Sequence, residues 1–257
     1  MVYSIESLHE LEEGLTKNVA ALQDLKSSHV HLGIQFDGQL GNHLIYGVCR
    51  RLDVIRRSLS NIFLCYPPSR TERLGEADLS NVQINLHAFC INVAGILDNW
   101  AWAFALRHDL VDQVGGKFGV GLFKEKLASF FTQELSRQVD SMRDWHDLYL
   151  KEYRDALAHR IPLYIPPFVL YGDEVDTYKE LEKQKNDLLY SSRFNEKKYK
   201  EISKKLDQMG CAGDFFLHSF DFGDNYKPVV LHTQIVCDCE TVVEFGRTFL
   251  KQWQQRT

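Results

Sequence analysis

Proline is scarce, 6 in 257 residues, and long stretches with periodic apolar positions run on without a breaker, which points to helices. No uninterrupted apolar run approaches bilayer length, and Met1 to Glu6 lacks the basic-then-apolar pattern of a secretory leader. Neither membrane contact nor export is therefore expected. Cys-x-x-Cys is absent, and the Cys237-x-Cys239 pair has no partner ligands at zinc spacing. The six cysteines, several inside apolar runs such as Phe89-Cys90-Ile91, read as reduced structural thiols of a cytoplasmic protein. No metal and no cofactor is expected. Residues 115–121 are glycine-rich, but no Gly-Lys-Ser/Thr follows and no strand precedes, so they read as a helix connection rather than a phosphate loop. Gly-x-Ser-x-Gly is missing, and with it a serine-nucleophile elbow. A net charge of −5 argues against an indiscriminate nucleic-acid coat.

What is present is an ordinary globular balance, 44% hydrophobic and 25% charged. A first helix is predicted over 4–26 from Leu8, Leu11, Leu15, Val19, Leu22 and Leu25, with Ser7-x-x-Glu10 as its capping box. Residues 29–36 alternate, suiting a short strand or the approach to the next helix. His29-x-His31 lacks a third ligand, and both histidines read as surface residues. A second helix, about 43–64, carries Leu52, Ile55, Leu59 and Ile62 on one side and Arg50, Arg51, Arg56 and Arg57 on the other, with Pro67-Pro68 as the stop.

The third helix, about 79–107, is apolar on nearly every side and therefore central. Asn81, Asn85, Ala88, Asn92, Gly95 and Asn99 share one narrow face of it, which suits either a close helix–helix seam or a polar wall facing a site. Asp98, beside Trp100 and Trp102, needs a partner if buried. Helices at about 120–136 and 140–160 follow, the latter with Ser141-x-x-Asp144 as its cap and Met142, Trp145, Tyr149 and Tyr153 on a buried face. Pro162 ends it, and the chain continues as an extended crossover. Residues 173–209 hold 9 acidic and 9 basic residues and read as an exposed helical hairpin turning near Ser191-Ser192. Gly210 and Gly213 flank a loop before a last helix, about 231–254. The expectation is one all-α domain over 1–257 with the charged arm 173–209 inserted.

Tyr153-Arg154-Asp155-Ala156-Leu157-Ala158-His159-Arg160 is the sharpest local feature. At about 100° per residue Arg154 and His159 diverge by about 140°, whereas Asp155 and His159, four apart, can hydrogen-bond. Such a bond would hold the imidazole tautomer and raise its pKa. The same residues also suit a purely structural role, since basic side chains in a last turn meet the negative end of the helix dipole.

Arg154-Asp155-Ala156-Leu157-Ala158-His159 resembles the Arg-x(4–6)-His motif of HEPN domains, in which a polar residue often follows the arginine. The resemblance implies an up-and-down helical bundle, commonly a homodimer, in which two motifs meet in a cleft. Many HEPN domains are metal-independent endoribonucleases of toxin–antitoxin, defence or RNA-processing systems; others are binding modules. Carried over, it makes His159 the general acid/base and Arg154 the phosphate clamp, with Asp155 orienting His159 and Arg160 an auxiliary phosphate contact. Asp98 or Asn99 would support the substrate. RNA is the implied substrate, and the 173–209 arm, outside the minimal family pattern, is a surface for a protein partner.

Overall fold

The computed structural model describes residues 3–191, 194–219 and 226–255, and the protein is all-α apart from one small hairpin. The first helix, α1, spans Ile5–Gly33, longer at its C-terminal end than its leucine pattern predicts. Ser4 caps it by accepting from the Ser7 amide at 3.1 Å, in place of the box at Ser7 and Glu10. Residues 29–33 continue the helix: His29 and Gly33, four apart, are both buried, which is a helical and not a strand period.

Helix α2, Gly38–Asn42, runs through a π-helical turn at His43–Cys49 into α3, Arg50–Cys65. Helix α4, Glu76–Arg107, is the centre of the fold, with Val82, Phe89, Val93, Ile96, Trp100 and Phe104 wholly buried. By length and composition α4 is apolar enough to cross a membrane, unlike the sequence expectation, but 61% of its most apolar window is buried against the rest of the protein.

The asparagine face of α4 proves to be a helix–helix seam. Asn99 accepts from Arg51 Nε at 2.8 Å, Asn92 accepts from Arg51 Nη1 at 3.2 Å, and Asn61 donates to Asn85. A Cβ at Gly95 would overlap the Arg51 guanidinium and one at Gly47 the Asn99 amide, so glycine is what lets α4 meet the α2–α3 rod this closely.

After α4 a 3-10 turn, Gly116–Gly119, leads to the short α5, Glu125–Ala128, and to α6, Gln133–Ser141, capped by Thr132. Helix α7, Arg143–Trp145, passes through a second π-helical turn, His146–Leu150, into α8, Lys151–His159. Ser141 thus ends α6 instead of capping the next helix. The crossover that follows is extended and held by backbone pairing of Tyr164 with Leu217 and Val169 with Cys211.

The charged segment forms two antiparallel helices, α9 (Glu174–Leu189) and α10 (Glu196–Asp207); Ser192 of the expected turn lies outside the described residues. Helix α9 buries no residue, and the hairpin stands apart from the main core cluster. Arg73 pins its base, donating to the carbonyls of Leu206 and Met209 and lying 3.9 Å over the Phe168 ring. Strands β1 (Phe215–Ser219) and β2 (Tyr226–Val230), where only a loop was expected, pair antiparallel ahead of α11, Leu231–Gln252. Helix α11 lies along α1 and against α3 and α4. All six cysteines are free thiols.

Candidate functional site

Helix α8 is oriented by Tyr153 and Ala156, both buried, which turns Arg154 and Asp155 to the side and leaves His159 exposed. Arg154 reaches a cavity of about 320 Å³ bounded by α4 at Ala94, Leu97 and Asp98, by the loop 120–124, and by the α7–α8 rod. Lys124, Arg143, Lys151 and Arg154 bring four cations to it, against the carboxylates of Asp98 and Asp147.

His146 stands at the same cavity. Its ring stacks on Phe123 with centroids 3.9 Å apart, and its Nδ1 lies 2.8 Å from Asp147 Oδ1. The carboxylate accepts the Nδ1 proton, so Nε2 carries the lone pair. Burial lowers the His146 pKa; the bond to Asp147 opposes that, and the nearby Arg154 and Lys151 charges add to it. The neighbouring Trp145 donates from Nε1 to Asp238 Oδ1 at 2.7 Å, tying this turn of helix to α11. Partial enclosure raises the Asp98 carboxyl, while Arg154, Arg51 and His146 pull it down.

The remaining motif residues are placed differently from the sequence expectation. Asp155 does not orient His159: its Oδ1 accepts from Arg154 Nε at 2.9 Å and Nη2 at 2.7 Å, because the neighbouring guanidinium folds back onto it. His159 ends α8 outside the cavity, and among the described residues its ring makes no hydrogen bond. Arg160 turns back on its own helix to Glu152, Nη2 to Oε2 at 2.6 Å, and is not an added contact beside Arg154. Asn99 is spent in the seam, bonded to Arg51 and 3.2 Å from His43 Nδ1; of the two, Asp98, one position earlier, lines the cavity.

No family model, no curated protein and no solved structure matches this chain. Function therefore rests on side-chain chemistry. A larger and mostly apolar groove of about 660 Å³ lies where Gln83 and His87 meet residues 161–164, but both polar side chains already bond the Leu163 carbonyl and so fix the crossover.

The expected surface histidine His29 is a core residue. Its Nδ1 lies 2.8 Å from the Leu25 carbonyl and its Nε2 accepts from Trp100 Nε1 at 2.9 Å, and burial lowers its pKa to about 4. Of the arginine run, Arg51 belongs to the seam, Arg56 pairs with Asp53, and Arg50 lies over the Tyr46 ring. Sequence reasoning passed over His146, Lys151, Arg143 and Lys124. The readable signal was Arg143, Asp147, Lys151 and Arg154 at spacings of four, four and three, a single charged helix face.

Proposed function

We propose that this chain is a HEPN-like, metal-independent endoribonuclease, of the kind found in toxin–antitoxin, defence or RNA-processing systems. It acts as a two-fold homodimer whose Arg154 and His159 pairs share one cleft. The observation that carries this reading is that both motif residues stay within reach of solvent on one helix: the Arg154 side chain is 41% exposed and the His159 ring is free of hydrogen bonds among the described residues. Ile84 and Ile91 on α4 and Ile161 just beyond α8 are exposed as well, an apolar surface that a second copy would cover. One imidazole takes the proton of the 2′-hydroxyl as it attacks phosphorus; the other protonates the departing 5′-oxygen, leaving a 2′,3′-cyclic phosphate and a 5′-hydroxyl. The Arg154 fork holds the phosphate oxygens on which charge grows.

The test is cleavage of varied labelled RNAs in EDTA, alongside light scattering for dimer mass. Wild type should cut, while His159→Ala and Arg154→Ala should lose about 10²-fold or more of the rate. Absence of cutting by wild type, or full cutting by His159→Ala, ends the proposal. A binding-only reading draws on α9, which buries none of its residues and leaves its charges open to a protein partner. Removing 173–209 should then abolish capture of that partner and leave dimer mass unchanged.

A further inference from the structure

We infer that the cavity between α4, the loop 120–124 and the α7–α8 rod is a binding site for a phosphomonoester dianion. It shares only Arg154 with the ribonuclease motif and does not depend on RNA cleavage.

The charge count is the first support. Four cations and two carboxylates line the cavity; Arg154 and Arg143 are each paired with a carboxylate outside that lining, Asp155 and Asp140, so the positive charge left to a ligand is chiefly that of Lys124 and Lys151. Cations gathered in a concave site attract an anion more strongly than the same charges spread over a convex surface. Of the two carboxylates, Asp147 is engaged by His146 Nδ1; burial raises the Asp98 pKa, and the charges of Arg154, Arg51 and His146 lower it. Of the cations, Arg154 is held by Asp155 and Arg143 by Asp140, which fixes the direction of their forks. Lys124 and Lys151 form no ion pair among the described residues, so their ammonium groups are available to a ligand.

The second support is the cavity's shape and apolar wall. At about 320 Å³ it falls at the lower end of ligand-sized sites, which run to about 1,000 Å³. Ala94 and Leu97 from α4 and Val120 and Leu122 from the loop give the lining an apolar part, which favours a phosphate carried on an organic group over a bare anion. His146, its ring stacked on Phe123 and its Nδ1 bonded to Asp147, also lines the cavity, and its Nε2 carries the lone pair.

Calorimetric titration of the full chain tests this with inorganic phosphate, adenosine 5′-monophosphate, and one oligoribonucleotide made with and without a 5′-phosphate. Saturable binding of adenosine monophosphate, tighter than inorganic phosphate, is expected. The double variant Lys124→Ala/Lys151→Ala should bind about 10²-fold more weakly, about tenfold for each charged contact removed, and the arginine double variant should restore most of it. Both lysines are exposed, so the variants should melt close to wild type. If the 5′-phosphorylated oligonucleotide matches the mononucleotide, the site reads an RNA end; if only the mononucleotide binds, it reads a free nucleotide. The inference is overturned if no phosphate-bearing probe saturates the protein, if the double alanine variant keeps full affinity, or if the 5′-hydroxyl oligonucleotide binds as tightly as its phosphorylated twin. Phosphate binding retained by a cleavage-dead His159→Ala protein, or lost without loss of cleavage, separates this site from the ribonuclease reading.

Discussion

Asp238→Asn should stabilise this protein at neutral pH and remove part of its pH response. Asp238 sits on α11, is only 2% exposed, and accepts from Trp145 Nε1 and Gln234 Nε2, each at 2.7 Å on the same oxygen. Burial raises its pKa to about 6, although the two hydrogen bonds pull the other way. A carboxyl whose folded pKa exceeds its unfolded value binds its proton more tightly when folded, so stability falls as pH rises between those values. At about 1.4 kcal/mol per pH unit, keeping Asp238 ionised at pH 7 costs about 3 kcal/mol. Asparagine keeps the accepting oxygen and never ionises. Denaturant unfolding of both proteins from pH 4 to 8 measures the difference, in which groups common to both cancel. The advantage of D238N should be small near pH 4, grow to about 3 kcal/mol near pH 6, and level off above. A difference that is flat across this range would refute the reasoning. Asp238→Ala, which strips the acceptor from Trp145, should instead destabilise by about 1–3 kcal/mol and loosen the turn that carries His146.

The buried histidines act in the opposite sense. His29 and His232 have pKa values lowered to about 4 by burial, His232 with Nε2 donating to the Tyr66 carbonyl at 2.6 Å. Each contributes stability that is complete above the unfolded value of about 6.5 and is lost as pH falls toward 4, about 3 kcal/mol apiece, so circular dichroism should show acid unfolding in that window. Trp100→Phe leaves the His29 Nε2 lone pair unsatisfied in the core and should cost about 2–4 kcal/mol in urea unfolding; a loss below 0.5 kcal/mol, on the order of a surface change, would contradict the bond. Arg51→Lys cannot reach Asn92 and Asn99 with one planar fork, so its loss should approach that of Arg51→Ala, about 1 kcal/mol each by thermal denaturation.

Those buried groups mark what was readable in the sequence and what was not. Helix α4 was legible because its apolar residues cover nearly every side over nine turns, a pattern no strand or loop sustains. The α9–α10 arm was legible from balanced charge with sparse apolar stripes. The β1–β2 hairpin was not: each strand has five residues, Pro228 stands in the second, and Phe216 and His218 are the buried residues of the first among those described. His29 was misjudged because the Leu25 carbonyl and Trp100 indole that bury it come from backbone geometry and a distant helix, neither of which the neighbouring residues reveal.

The site failed to show itself for a related reason. Helical spacing put Asp155 four residues before His159, but the guanidinium one residue away takes its Oδ1 with two bonds. The cavity, in turn, is assembled from three stretches, at 94–98, 120–124 and 143–154, of which only the last has a sequence period. The π-helical turn at His146–Leu150 inserts into that period and sets His146 and Lys151 beside Arg154. A widened turn of this kind changes which side chains share a face without changing the residues themselves. Of the motif Arg154–His159 only Arg154 reaches the cavity, and the cations around it, apart from Lys151, come from α7 and the loop 120–124. On the proposal that this cavity takes a phosphomonoester, selectivity rests on Lys124 and Lys151, which line it, more than on the net charge of the chain.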